Sequence, residues 1–411
     1  MIIQKNGLTI PEYLDKDFFR KVLKGAFQTN EFMIEKINFT MGSGGGENYC
    51  SFIYRAVIDA IINGNSRHLT VIIKSMPTDG ERQVFEEIQL HRKETDMYFT
   101  MLPKMEELLN TKLSPKCYYV QDEPIQTIVL EDLELLGYRL ADRQVGLDEE
   151  HCAVILKKLA SFHAAGLYYV EKNPSIIKNY SSGIFNKNTV HLKVFEGVFA
   201  DNFNALIKVA DGWPGYEKIV QKLKNIQGDF LRRFGENADP APNELKVLNH
   251  GDLWVNNFMF RYNTEFSKHP NDLVFIDFQG SFFSSPGIDL NYFLNTSVQV
   301  DVLQNRRNFM LKEYYYKSLV QILKNLRSEN IPTFDDILAE VRRKEFYGFC
   351  AAVGVLALIG MDKEASKDNS IECFADKDLA EKKCLTACSS KRYQETMRYL
   401  LKRNDQLGLF D

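Results

Sequence analysis

His250-Gly251-Asp252-Leu253-Trp254-Val255-Asn256-Asn257 is followed by an apolar run that closes in Ile276-Asp277-Phe278. The stretch holds an aspartate, an asparagine five residues on and a second aspartate ending an expected strand. That set suits phosphoryl transfer from a metal nucleotide, where one carboxylate orients the attacking hydroxyl and accepts its proton. An Asn and a further Asp supply the hard oxygen ligands that Mg²⁺ takes. Two strands, 258–262 and 273–278, are expected to pair across a loop at 263–272. This hairpin would set Asn257 beside Asp277, within reach of one metal ion.

Such chemistry needs a phosphate-covering loop, a lysine and a partner for that lysine, and the chain upstream offers candidates in that order. Met41-Gly42-Ser43-Gly44-Gly45-Gly46-Glu47-Asn48-Tyr49 is glycine-rich, and glycine lets main-chain N–H groups approach phosphate oxygens closely. It is neither a P-loop nor the dinucleotide fingerprint. A flexible hairpin tip is an equal reading on local grounds. The runs 51–62 and 69–74 flank Asn63-Gly64-Asn65, a strong hairpin signal. Lys74 ends the second run, where it either snorkels to the surface or binds phosphate. Residues 81–109 read as one long helix bent near Pro103. It carries Glu94 as the lysine's candidate partner, with Glu86 and Glu87 as competitors. Strands at 116–121 and 125–130 then lead into Glu131-Asp132-Leu133, where a linker begins.

Other segments frame these. Helical spacing marks 11–27, and a strand is expected at 32–39. Residues 148–169 carry a broad apolar helical face around Ser161-Phe162-His163-Ala164, with His163 read as a hydrogen-bonded core histidine. Residues 172–241 read as helices and polar loops. Ser285-Pro286-Gly287 opens another helix, and from Val300 the pattern is almost wholly helical. Aromatics such as Tyr314-Tyr315-Tyr316 and Phe346-Tyr347 read as core.

Bulk properties narrow the function classes. With 411 residues, two or three lobes are expected. A composition of 45% hydrophobic and 26% charged residues is that of a folded chain. A net charge of -4 argues against nucleic acid as the main partner. No basic segment leads into an apolar core at the N-terminus, and the longest uncharged stretch, 346–361, is short of a membrane span. Seven scattered cysteines read as reduced thiols, so a cytoplasmic protein without a membrane span is expected.

His250-Gly251-Asp252 with Asn257 and Ile276-Asp277-Phe278 resembles the aminoglycoside and choline kinase-like superfamily, relatives of the protein kinases. Gly46-Glu47-Asn48-Tyr49, Glu94 with Tyr98 and Leu102-Pro103, Val129-Leu130-Glu131-Asp132-Leu133, and Phe162-His163-Ala164 resemble its ecdysteroid kinase-like branch. The resemblance covers roughly residues 30–360 and implies a bilobal α+β protein kinase-like fold. An N-terminal nucleotide-binding lobe (1–131), about five antiparallel strands and one main helix, would precede a mainly helical catalytic and acceptor-binding lobe (132–411), with the active cleft between them. It implies Asp252 as catalytic base, Asn257 and Asp277 as Mg²⁺ ligands, and Lys74 on the ATP phosphates with Glu94 as ion-pair partner. Gly44, Gly45, Gly46 and Asn48 would line the phosphates, backbone groups of Glu131 and Leu133 would hold adenine, and His250 and Asp289 would brace the catalytic loop. Gly251 stands where protein kinases carry Arg, and no Ala-Pro-Glu segment follows Asp277. The expected activity is ATP-dependent phosphorylation of a hydroxyl on a small molecule, an ecdysteroid or hydroxylated xenobiotic. A choline- or aminoglycoside-type kinase and a catalytically inactive kinase-like binding protein are the alternatives.

Overall fold

A computed structural model describes residues 2–4, 10–42, 51–76, 90–264, 267–360 and 377–411. Gly44, Gly45, Gly46, Asn48, Glu86 and Glu87 lie outside the described residues. The chain packs as two compact units, Met1–Pro103 with Ser114–Tyr138, and Lys104–Leu113 with Arg139–Asp411.

The first unit is built on a six-stranded sheet. Its strands are β1 (Ile2–Gln4), β2 (Phe32–Met41), β3 (Phe52–Ile62), β4 (Asn65–Ser75), β5 (Cys117–Gln121) and β6 (Thr127–Glu131), in the order β1-β2-β3-β4-β6-β5. Five strands pair antiparallel as expected. The sixth, β1, runs parallel to β2 at the edge. Three residues followed by Lys5-Asn6-Gly7 are too short a run to read as a strand from periodicity.

Between β3 and β4 the turn is two residues long, because Ile62 pairs with Asn65. Asn63 and Gly64 take φ of 48° and 75°, the left-handed pair that joins twisted strands. Alternation along β3 buries Tyr54, Ala56, Ile58, Ala60 and Ile62 on one face. Helix α1 (Lys16–Phe27), whose first turn is capped by Asp15 accepting from the Phe18 amide, covers that face with Phe18, Phe19, Val22 and Leu23.

The expected long helix divides. α2 (Leu90–Asp96) passes through a π-helical turn at Met97–Met101 into α3 (Leu102–Leu109). Pro103 has no N–H for the carbonyl four residues back, and the Leu102 amide already bonds five residues back to Met97. The irregular turn therefore falls just ahead of the proline.

The second unit is mainly helical. α4 (Glu149–Lys172), capped by Asp148, is followed by α5 (Asp201–Asp211), α6 (Glu217–Ile226) and α7 (Phe230–Ala238). Short strands β7 (Val247–Asn249) and β10 (Phe282–Ser284) pair antiparallel and flank the hairpin of β8 (Phe258–Tyr262) and β9 (Pro270–Phe275). α8 (Gly287–Ser297) follows and is buried along its whole length. Aromatic rings fill the interior: Phe203 stacks on Phe230 at 4.0 Å, Phe199 and Phe234 lie 4.8 Å apart, and Tyr315 and Tyr347 are fully enclosed. The stretch 346–359 is interior helix, and among the described residues no helix is long and apolar enough to cross a membrane.

Candidate active site

In the first unit, strand register places Lys74. Lys74 lies on β4 between Ile53 of β3 and Ile128 of β6, so its backbone is fixed by ladders on both sides. Its side chain points to the face opposite Ile73 and is 7% exposed. Nζ donates to Oε2 of Glu94 on α2 at 2.7 Å, and Glu94 is 2% exposed. A lysine held this deep against one carboxylate is a placed charge, not a snorkelling one.

β6 ends at Glu131, whose amide donates to the Lys116 carbonyl at 2.8 Å. Asp132 caps the 3₁₀ turn Leu133–Leu136 by accepting from the Glu134 amide. Arg55 on β3 then clamps the segment, with Nε 2.9 Å from Asp132 Oδ2 and Nη2 2.5 Å from Glu134 Oε2. Arg55 escaped the reading of the sequence, since an arginine on an alternating strand carries no signal of what it will face.

In the second unit the hairpin does bring the Asn257 and Asp277 ends together. Phe275 pairs with Phe258, and the Ile276 amide donates to the Asn257 carbonyl at 3.1 Å. Asp277 lies outside the strand, which the expected range 273–278 had carried through it. β9 stops at Phe275, and Asp277 adopts φ 66°, ψ 66°. Aspartate tolerates this left-handed conformation better than most residues, but the backbone there is strained, and such outliers gather at working sites.

The loop 250–257 is held on several sides. Asp289 on α8, fully buried, accepts the His250 amide on Oδ2 at 2.7 Å and the Gly251 amide on Oδ1 at 2.9 Å. His163 of α4 bonds the same Oδ2 through Nε2 at 3.0 Å and the Tyr315 hydroxyl through Nδ1 at 2.8 Å. It is a core histidine. His250 donates from Nε2 to the Ile276 carbonyl at 2.9 Å and accepts the Asp252 amide on Nδ1 at 3.3 Å. Gly251 has φ 81°, and its backbone packs against Gly280. This close approach explains why glycine stands at the position.

Asp252 is half-buried. The Asn257 side-chain amide donates from Nδ2 to the Asp252 carbonyl at 2.8 Å and to its Oδ2 at 3.0 Å. The Tyr292 hydroxyl donates to the other carboxylate oxygen, Oδ1, at 2.7 Å. Burial, and then the charge of Asp277, raise the Asp252 carboxyl above its ordinary pKa, while the Tyr292 and Asn257 hydrogen bonds pull the other way. Tyr292 was not legible in the sequence. Only its spacing of three from Asp289 on one helix hints that both face the loop.

These residues fit Mg²⁺. With Nδ2 committed to Asp252, the Asn257 Oδ1 is the atom turned away, and Asp277 follows the residue tied to the Asn257 carbonyl. Among the described residues no group of three or more His, Cys, Asp or Glu could form an all-protein cage. Mg²⁺ characteristically takes one or two protein ligands and completes its shell with phosphate and water.

A sequence model of the ecdysteroid kinase-like family matches residues 45–328, while comparison with curated proteins gave no match. The matched span contains Lys74, Glu94, Asp252, Asn257, Asp277 and Asp289. The chain belongs to the ecdysteroid kinase-like family, and its β-rich and helical units are those of an α+β kinase-like fold.

Proposed function

We propose that this chain is an ATP-dependent kinase that phosphorylates a hydroxyl group of a small molecule, an ecdysteroid or a hydroxylated xenobiotic. The observation that carries the reading is the Asp252 carboxylate: its basicity is raised by burial, and its two oxygens take hydrogen bonds from the uncharged donors Tyr292 and Asn257. A carboxylate so held accepts the acceptor hydroxyl's proton as the new O–P bond forms and the bond to the ADP oxygen breaks. The proton then leaves to solvent with the product. Lys74, kept in place by Glu94, neutralises nucleotide phosphate charge. The Asn257 Oδ1 and the Asp277 carboxylate would hold Mg²⁺, which when bound supplies further charge neutralisation on the phosphates. Backbone groups of Glu131 and Leu133 would hold adenine. Main-chain amides of Gly44, Gly45 and Gly46, with Asn48, would cover the phosphates. A cytoplasmic setting accords with the free thiols Cys117, Cys152, Cys350, Cys384 and Cys388.

The test uses the full chain with Mg·ATP and a panel of sterol and phenolic alcohols. Wild type should yield ADP and phosphorylated alcohol in equal amounts. Asp252→Asn should lower transfer by about 10²-fold or more while retaining the melting temperature. Full transfer by that variant would remove Asp252 as the base, and a wild type that binds no Mg·ATP would favour a binding protein.

A further inference from the structure

Three consecutive residues of the 250–257 loop are fastened to one helix. The amides of His250 and Gly251 reach Asp289, and the carboxylate of Asp252 reaches Tyr292, three positions further along α8. Residues three apart on a helix project from the same side, so α8 presents Asp289 and Tyr292 to the loop as two adjacent polar anchors. Tyr292 is 1% exposed, packs 6.2 Å from the Tyr347 ring, and has its hydroxyl proton held firmly by burial, well above the ordinary phenol range. A buried phenol needs a hydrogen-bond partner, and this one uses the base itself.

The second carboxylate oxygen is held by Asn257. With a single donor, a carboxylate can still turn about its Cβ–Cγ bond, whereas donors on both oxygens fix its plane. Each oxygen keeps a second lone pair for the acceptor hydroxyl. We infer that Tyr292 is a positioning residue for phosphoryl transfer, setting the plane of the Asp252 carboxylate against the incoming hydroxyl. The inference rests on the kinase reading above.

Tyr292→Phe removes one oxygen and keeps the packing. It should reduce kcat about 10- to 100-fold, leave KM for ATP within about twofold, and leave ATP affinity by calorimetry unchanged. A double-mutant cycle with Asp252→Asn should show strongly non-additive losses in kcat, because the hydroxyl acts only through that carboxylate. Unchanged kcat in Tyr292→Phe overturns the inference, as does a loss shared by kcat, KM and melting temperature, which would mark a purely structural residue. A wild type inert toward Mg·ATP overturns the kinase reading itself, an outcome distinct from active wild type with an equally active variant.

Discussion

A Cβ placed on Gly251 would stand 2.0 Å from the carbonyl oxygen of Gly280, far closer than non-bonded carbon and oxygen atoms can approach. Gly251 also has φ 81°, so a side chain would be strained there even without that neighbour. Gly251→Ala should therefore cost about 2 kcal/mol or more, and it should dislodge Asp252 from its partners. Chemical denaturation and the transfer assay check the two effects. A variant of wild-type stability would show that the loop yields at little cost.

Lys74 and Glu94 are both enclosed and joined at 2.7 Å. Removing one partner of a buried pair leaves a desolvated charge, at about 3 kcal/mol. Lys74→Met should show that loss in denaturant and should weaken ATP binding in calorimetry. Glu94→Gln, which keeps an acceptor oxygen, should be less destabilised than Lys74→Met.

Asp289→Ala removes the acceptor of the His250 and Gly251 amides and a partner of His163 in one step. Each buried group left unpaired costs about 1–3 kcal/mol, so the second unit should be severely destabilised, with loss of soluble protein or a large fall in denaturation midpoint. Asp289→Asn retains one acceptor oxygen and should fall between wild type and Asp289→Ala.

Burial holds the His91 imidazole down at about 4 from its ordinary 6.5, with the Lys74 charge acting in the same direction and Asp122 opposing both. Between pH 6.5 and 4 the unfolded chain binds a proton that the folded chain refuses. Stability should therefore be intact above pH 6.5 and fall as pH drops across that window, by about 3 kcal/mol in total from this residue. Equilibrium unfolding at stepped pH should show the slope in wild type and a flatter one in His91→Gln.

Local chemistry made much of this molecule legible in its sequence. Asn63-Gly64 announced its turn because few other pairs accept left-handed φ at both positions. The hairpin was legible from its strand and turn signals, although its second strand runs 270–275 and not the expected 273–278, and with it the meeting of the Asn257 and Asp277 ends. What escaped depended on tertiary approach. Nothing near Arg55 says that it will clamp Asp132 and Glu134. Nothing near Tyr292 says that its hydroxyl ends on a carboxylate forty residues back in the chain. The left-handed Asp277 escaped too, since periodicity carries a strand forward until some neighbour stops it.

The donor role of the Asn257 side chain bears on chemical ageing. Spontaneous deamidation there would replace an N–H donor 3.0 Å from Asp252 Oδ2 with a carboxylate oxygen, turning an attraction into repulsion between like charges. The same event would alter a proposed metal ligand and disturb the proposed base at once. Preparations that lose phosphate transfer on storage, without loss of secondary structure, should be examined by peptide mass mapping at this one amide.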